Sequence, residues 1–294
     1  MTYVKAEIAS QPDCWRLAAK LADAPGLPAR GERVAVVGCG TSWFMAKAYA
    51  ARRESLGQGE TDAFQASEFP RGRRYDRVVA ITRSGTTTEI VDLLRELDDR
   101  TPTTVLTADP AQPAAALATD AIVLDFADER SVVQTRFATS ALALLRAGLG
   151  EDVAALAADA QRAIEAPLPL DAATVEQVTF VGQGWTVGLA HEAALKCREA
   201  AAFWTEAYPA MDYRHGPIAI AAPDRAVWTF GPPPRGLAGE VSATGARFVG
   251  AGDTLDPMAE LILAQRFAVA LAQHRGLDPD APRNLTRSVV LDPR

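Results

Sequence analysis

The sequence predicts an α/β protein made of two doubly wound parallel sheets, each a three-layer sandwich of the flavodoxin-like or Rossmann-like kind, related by internal duplication. Three observations predict it. A short β-branched apolar run, a glycine turn and a helical apolar period follow one another at residues 33–53 (RVAVVG, CGTSW, FMAKAYAARRE), again at 78–97 and again at 178–200. Few hairpin signals separate these units, and strands that alternate with helices build parallel sheets covered on both faces. Finally, Val37, Gly38, Gly40, Ala46 and Ala50 fall on Val181, Gly182, Gly184, Ala190 and Ala194 at one fixed offset, and SEFP at 67–70 is echoed by EAYP at 206–209.

Taken in order, the first 30 residues are expected to be helical and to pack on a lobe or on a partner, with no chemistry of their own. The first lobe follows, closed by helical sequence over 131–165, so residues 1–165 form one domain. The proline-bearing APLPLD at 166–171 is the expected linker, and residues 166–294 form the second lobe with a C-terminal tail. A chain of 294 residues, 48% hydrophobic and 23% charged, has enough apolar sequence to fill two such cores.

Composition narrows the partners. A net charge of −7 argues against nucleic acid, which needs a clustered basic surface to displace counterions. No stretch approaches the ~18 uninterrupted apolar residues of a membrane span, and the N-terminus has no signal-type apolar run, so a cytoplasmic protein is expected. Cys14, Cys39 and Cys197 are odd in number and widely spaced, and His191, His215 and His274 pair with nothing at ligand spacing. Neither a metal nor a cofactor is expected.

The stretch ITRSGTTTE, residues 81–89, sets a glycine and five hydroxyl residues between a strand end and a helix start. Unpaired N–H groups and the positive end of the helix dipole favour an anion there, and phosphate suits the place. Thr82, Ser84, Thr86, Thr87 and Thr88 add short donors, Arg83 adds a charge suited to paired bonds, and Ser42 in the neighbouring GCGTS turn can supply another. A second possibility is a plain capping box, Thr86 at the N-cap and Glu89 three residues on; it leaves Thr82, Arg83 and Ser84 without a purpose. No G-x-x-x-x-G-K-[ST] occurs, and GCGTSW lacks the third small residue of a dinucleotide fingerprint. The comparable place in the second lobe reads GPPPRG, whose prolines bring no N–H donors and no hydroxyls.

In the second lobe Glu192, Lys196 and Glu199 are spaced i, i+4, i+7 and share one helix face. Such a face is either a solvated salt-bridge ladder or, beside a glycine turn at a strand end, an acid–base cluster. His215, ahead of Gly216-Pro217, is either a loop histidine or a proton-transfer group.

The ordered blocks GCGTS, ITRSGTTTE, ERSVVQTRF, EAALKCRE, TEAYPAMDYRHGP and PRNLTRSVVL resemble the two-lobed sugar isomerase (SIS) family over about residues 30–294. The resemblance implies two SIS lobes and a phosphosugar enzyme. It places Ser42, Thr82, Ser84 and Thr87 at the sugar phosphate and Glu199 at the C1–C2 proton transfer; Thr41, Arg83, Val132 and Arg287 are further expected substrate- or phosphate-binding residues. Lys196 lies beside that carboxylate, where it is expected to hold the enediolate oxygen, and His215 takes the ring-opening position. It further implies a homodimer in which His215 comes from the partner.

Two positions depart from the synthase branch of that family. Arg287 stands where a lysine is usual, and arginine stays protonated and forms no Schiff base at ordinary pH; Arg83 replaces a glutamine. The glutaminase part of the synthases is not in this sequence, so an isomerising or ammonia-releasing direction is expected over synthesis. Removal of the C2 proton leads to aldose–ketose isomerisation, to deamination of a free amino sugar, or, with an acylated nitrogen, to β-elimination at C3. A non-catalytic sugar-phosphate sensor is the alternative of another class.

Overall fold

The computed structural model describes residues 2–97, 101–250, 252 and 254–291. Ten helices and nine strands are assigned in it: α1 (Tyr3–Ala9), α2 (Gln11–Ala19), β1 (Val34–Gly38), α3 (Thr41–Ser55), β2 (Thr61–Gln65), β3 (Arg77–Ile81), α4 (Thr88–Glu96), β4 (Thr103–Thr107), α5 (Pro113–Leu117), β5 (Asp120–Val123), α6 (Arg136–Gly148), α7 (Val153–Glu165), β6 (Gln177–Gly182), α8 (Thr186–Ala201), β7 (Thr205–Pro209), β8 (Arg225–Thr229), α9 (Leu237–Ala243), β9 (Arg247–Val249) and α10 (Pro257–His274). One sheet runs β2-β1-β3-β4-β5 and the other β7-β6-β8-β9, with every neighbouring pair parallel. The two orders are the same as far as the second goes. Two parallel α/β lobes are therefore present, as the alternation of strand and helix patterns predicts.

β1, β4 and β6 are buried at every position, which is why they read as continuous apolar or β-branched runs rather than as alternating ones. In the five-stranded unit Ala35, Val37, Val78, Ala80 and Val105 pack with Ile90, Val91, Leu93 and Leu94 of α4. In the four-stranded unit Val181 and Val227 pack with Leu237, Val241 and Ala246, and Trp228 of β8 meets Phe267 of α10 at 6.0 Å between ring centroids. Each first strand ends in a glycine pressed against the helix that follows. A methyl on Gly38 would lie 2.5 Å from the Ser42 carbonyl carbon, and one on Gly182 would lie 2.5 Å from that of Thr186. The second glycine of each turn, Gly40 or Gly184, has φ of +54° or +53°.

Compactness divides the chain differently from sequence order. Asp13–Arg130, Arg136–Val153 and the tail from Thr286 form the five-stranded unit; the first twelve residues, Ser131–Thr135 and Ala154–Leu285 form the four-stranded one. The division expected at 165/166 thus separates the two sheets but not the two units. The helical stretch expected at 131–165 is two helices, α6 and α7, broken where Gly150 takes φ +84°. Among the described residues no helix is long and apolar enough to cross a membrane.

Candidate functional site

Both sheets have the strand-order reversal beside their first strand, where open α/β folds leave a crevice outside the carboxyl ends. In the five-stranded unit this end carries Thr41 and Ser42, both buried in the first turn of α3, and the loop from Thr82 to Thr87. Backbone pairing extends β3 by one bond, Thr82 N donating to Leu106 O at 2.9 Å. Its side chain is only 3% exposed, and Thr82 Oγ1 has no hydrogen-bond partner among the described residues. A buried hydroxyl without a partner costs about 1–3 kcal/mol, which makes this one a candidate for a ligand's hydrogen bond. Gly85, at φ +65°, turns the chain so tightly that a methyl there would meet Gln112 Cβ at 2.7 Å.

The capping box is not what this loop forms. Thr87, not Thr86, is the N-cap of α4, and its side chain makes no capping bond. The helix start is satisfied by the C-terminal tail instead. Thr88 N donates to Val289 O at 3.1 Å and Leu291 N donates to Thr88 Oγ1 at 2.9 Å. Ser288 Oγ lies 3.0 Å from Ser84 Oγ, 3.0 Å from Thr86 Oγ1 and 3.3 Å from Thr87 Oγ1. Arg83 points inward: it is 3% exposed, 3.4 Å from the fully buried Glu129 carboxylate, and donates to Arg287 O at 3.1 Å. The Arg287 guanidinium is held by the Asp128 carboxylate and the Glu129 carbonyl. Both arginines therefore have protein partners in this unit, the positive charge of each answered by a carboxylate.

In the four-stranded unit α8 carries the charged face. Lys196 is fully buried, with its ammonium bonded to Glu199 and 3.4 Å from Glu192, itself 1% exposed. This is no solvated ladder. A buried ammonium is tolerable only among carboxylates or other acceptors, and α8 supplies two. The structure thus gives the Lys196 ammonium to its neighbouring carboxylates. Glu199 lines a cavity of about 540 Å³ that also touches Arg198, Asp278, Arg283 and Asn284. His215 ends a 3-10 turn over Asp212–His215, is exposed, and makes no hydrogen bond or ion pair among the described residues. Two residues before it, burial pushes the Tyr213 phenol up to about 12. Val132 is partly buried and belongs to this same unit.

Sequence reasoning did not single out Glu129, Ser288 or Glu260. Glu129 is separated from Arg83 by 46 positions and Ser288 from Ser84 by 204, so no local pattern announces either pairing. Glu260, fully buried on α10, accepts Gly231 N at 2.8 Å at the head of the GPPPRG loop. Among the described residues no group of three or more His, Cys, Asp and Glu side chains gathers as a metal site would.

A family model described as the SIS domain matches residues 29–147. The glutamine–fructose-6-phosphate aminotransferase (isomerizing) of Methanothermobacter thermautotrophicus is 28% identical over 89% of this chain and 52% of its own length. The chain spans about half the length of the curated relatives it matches over most of its own residues. Among solved structures, a glucosamine-6-phosphate deaminase from Thermotoga maritima superposes with a TM-score of 0.80 at 23% identity, covering 98% of this chain and 100% of that one. A tagatose-6-phosphate ketose/aldose isomerase from Escherichia coli gives 0.77 at 19%, covering 99% and 97%. At such identities these two likenesses establish the fold. Residues 29–147 match the SIS domain, and over most of its length the chain is similar to about half of glutamine–fructose-6-phosphate aminotransferase (isomerizing).

Proposed function

We propose that the protein moves a proton at C2 of an open-chain hexose or hexosamine 6-phosphate, acting as a sugar-phosphate isomerase or deaminase of SIS type. The observation that carries the proposal is Glu199: a carboxylate backed by a buried ammonium and facing a cavity large enough for a hexose. The C2 proton of an open-chain aldose is acidic because the C1 carbonyl takes up the charge, and a fixed, ionised carboxylate is the base that this step needs. Lys196 acts through Glu199, holding its carboxylate in place. Thr82, Ser84 and Thr87, with Ser42 and Thr41, hold the phosphate; Thr82 Oγ1, buried and partnerless, supports that role. Phosphate has to replace Ser288 on the loop hydroxyls. Arg287 and Val132 contact the sugar, and Arg83 supports the loop from behind through Glu129.

His215 opens the sugar ring. Its exposure and lack of partners among the described residues suit a residue offered to a second copy, and the proposed assembly is a homodimer. The names of the two superposed structures fit both outcomes of the C2 chemistry, since one is called a deaminase and the other a ketose/aldose isomerase. The test is incubation in deuterated water with glucosamine 6-phosphate, its N-acetyl form, fructose 6-phosphate and tagatose 6-phosphate, following deuterium at C2 of the aldoses and at C1 of the ketoses, together with ammonia, aldose or ketose product and unsaturated product. Deuterium entry with one substrate supports the proposal. Tight binding with no exchange and no product across the set points to a sensor.

A further inference from the structure

We propose that helix α1 is a positioning element of the acid–base site, gripping the wall of the Glu199 cavity through Asp280 and the Val132 segment through Glu7. This rests on the roles proposed above for Glu199 and Val132. The helix has seven residues, too few to persist alone, so its surroundings must hold it. Thr2, at its N-cap, makes no capping bond; the Asp280 carboxylate does so instead, accepting Tyr3 N at 2.6 Å and Val4 N at 2.8 Å. One turn further, Glu7, 4% exposed, accepts Ser131 N at 3.3 Å and also the Ser131 hydroxyl. Residues 3 and 7 share a helix face, while Val4 and Ile8 are buried where α1 packs against α10.

Where these grips land is the substance of the inference. Asp280 is anchored by its own N–H to the Asp278 carboxylate at 3.0 Å, and Ala281 N donates to Asp278 O at 3.2 Å. Asp278, Ala281, Pro282, Arg283 and Asn284 line the cavity opposite α8, together with Glu199. This wall belongs to no helix or strand, so few backbone bonds fix it. Ser131 immediately precedes Val132, in a five-residue piece, Ser131–Thr135, that packs with the four-stranded unit although the chain on either side of it does not. A carboxylate as buried as that of Glu7 is costly unless fully hydrogen-bonded, and Ser131 supplies two of its donors. A single short helix thus fixes two otherwise irregular segments, one lining the Glu199 cavity and the other carrying Val132.

The experiment uses the full chain with Asp280→Ala, Asp280→Asn, Glu7→Gln and Glu7→Asp, and Ser84→Ala for contrast. Amide hydrogen exchange of 276–284 and 131–135, the kinetics of C2 deuterium entry and the midpoint of global unfolding are measured together. Asp280→Ala is expected to raise amide exchange in 276–284 about tenfold, the scale of losing hydrogen bonds to a charged acceptor. The same variant should lower kcat about tenfold with KM within about twofold, and Asp280→Asn should fall between it and wild type. Glu7→Gln should act likewise on 131–135, with Glu7→Asp partly restoring it. Unchanged protection of both segments, or kcat that only follows the folded fraction, overturns the proposal. If Asp280→Ala does not fold, Asp280→Asn and Glu7→Gln decide by the same criteria. If wild type exchanges no substrate proton, the proposed function fails, and the amide-exchange arm still decides whether α1 grips these segments.

Discussion

The loops after β3 and β8 hold the same place in two sheets of the same order, yet one is lined with hydroxyls and the other with prolines. The difference extends to how each treats its backbone N–H groups. At the head of the proline loop Gly231 N is aimed at Glu260, a carboxylate that the protein itself buries beneath it. Beside the hydroxyl loop the first N–H of α4 goes to a tail carbonyl, and Thr82 Oγ1 goes to nothing among the described residues. One lobe answers this N–H with its own carboxylate, and the other leaves a buried hydroxyl unanswered among the described residues. Under the proposed function the first copy binds the phosphate and the second carries the acid–base helix α8.

The sharpest way to break this comparison is to remove the base. Glu199→Gln is expected to lower deuterium entry at C2 by about 10²- to 10⁴-fold while phosphosugar binding stays within a few fold, measured by exchange and by calorimetry. Next in size are the loop hydroxyls. Thr82→Val and Ser84→Ala should each raise KM roughly 10-fold or more with kcat little changed, as a lost bond to a charged group predicts. Arg235→Ala, in the exposed proline loop, should leave KM alone; an equal rise there would sink the division of labour.

The paired glycines test what the lobes share. Gly38→Ala and Gly182→Ala each drive a methyl into backbone at 2.5 Å, so both should destabilise by about 1–3 kcal/mol or more in urea unfolding. Tolerance of one but not the other would show that the two turns are less alike than their dihedral angles. Smaller still is Glu260→Ala. It should cost about 1–3 kcal/mol by stranding Gly231 N, with KM unaffected.

Much of this was legible in the residues, and for local reasons. A β-branched run ahead of G-x-G, followed by alanine-rich helical period, fixes β1–α3 and β6–α8 within a dozen residues, and the fixed offset between them gives the duplication. The hydroxyls of 82–87 were legible as donors because their chemistry does not depend on context. What failed was everything decided at long range. The N-cap of α4 moved from Thr86 to Thr87 because tail residues 289 and 291 meet the helix start. Arg83 turned inward because Glu129 lies buried beneath it. Spacing put Glu192, Lys196 and Glu199 on one face without saying that Glu192 and Lys196 are buried, along with Ala193, Ala194 and Cys197 beside them, and that Glu199 is the partly exposed member. The first twelve residues had no motif to advertise Glu7, whose partner is 124 positions away.

The charges on α8 have an arithmetic consequence. The two carboxylates and one ammonium sum to a single negative charge. Lys196 and Glu192 are sealed from water while Glu199 borders the cavity, so a molecule entering that space meets the surplus charge at Glu199, with the counter-ion already fixed behind it.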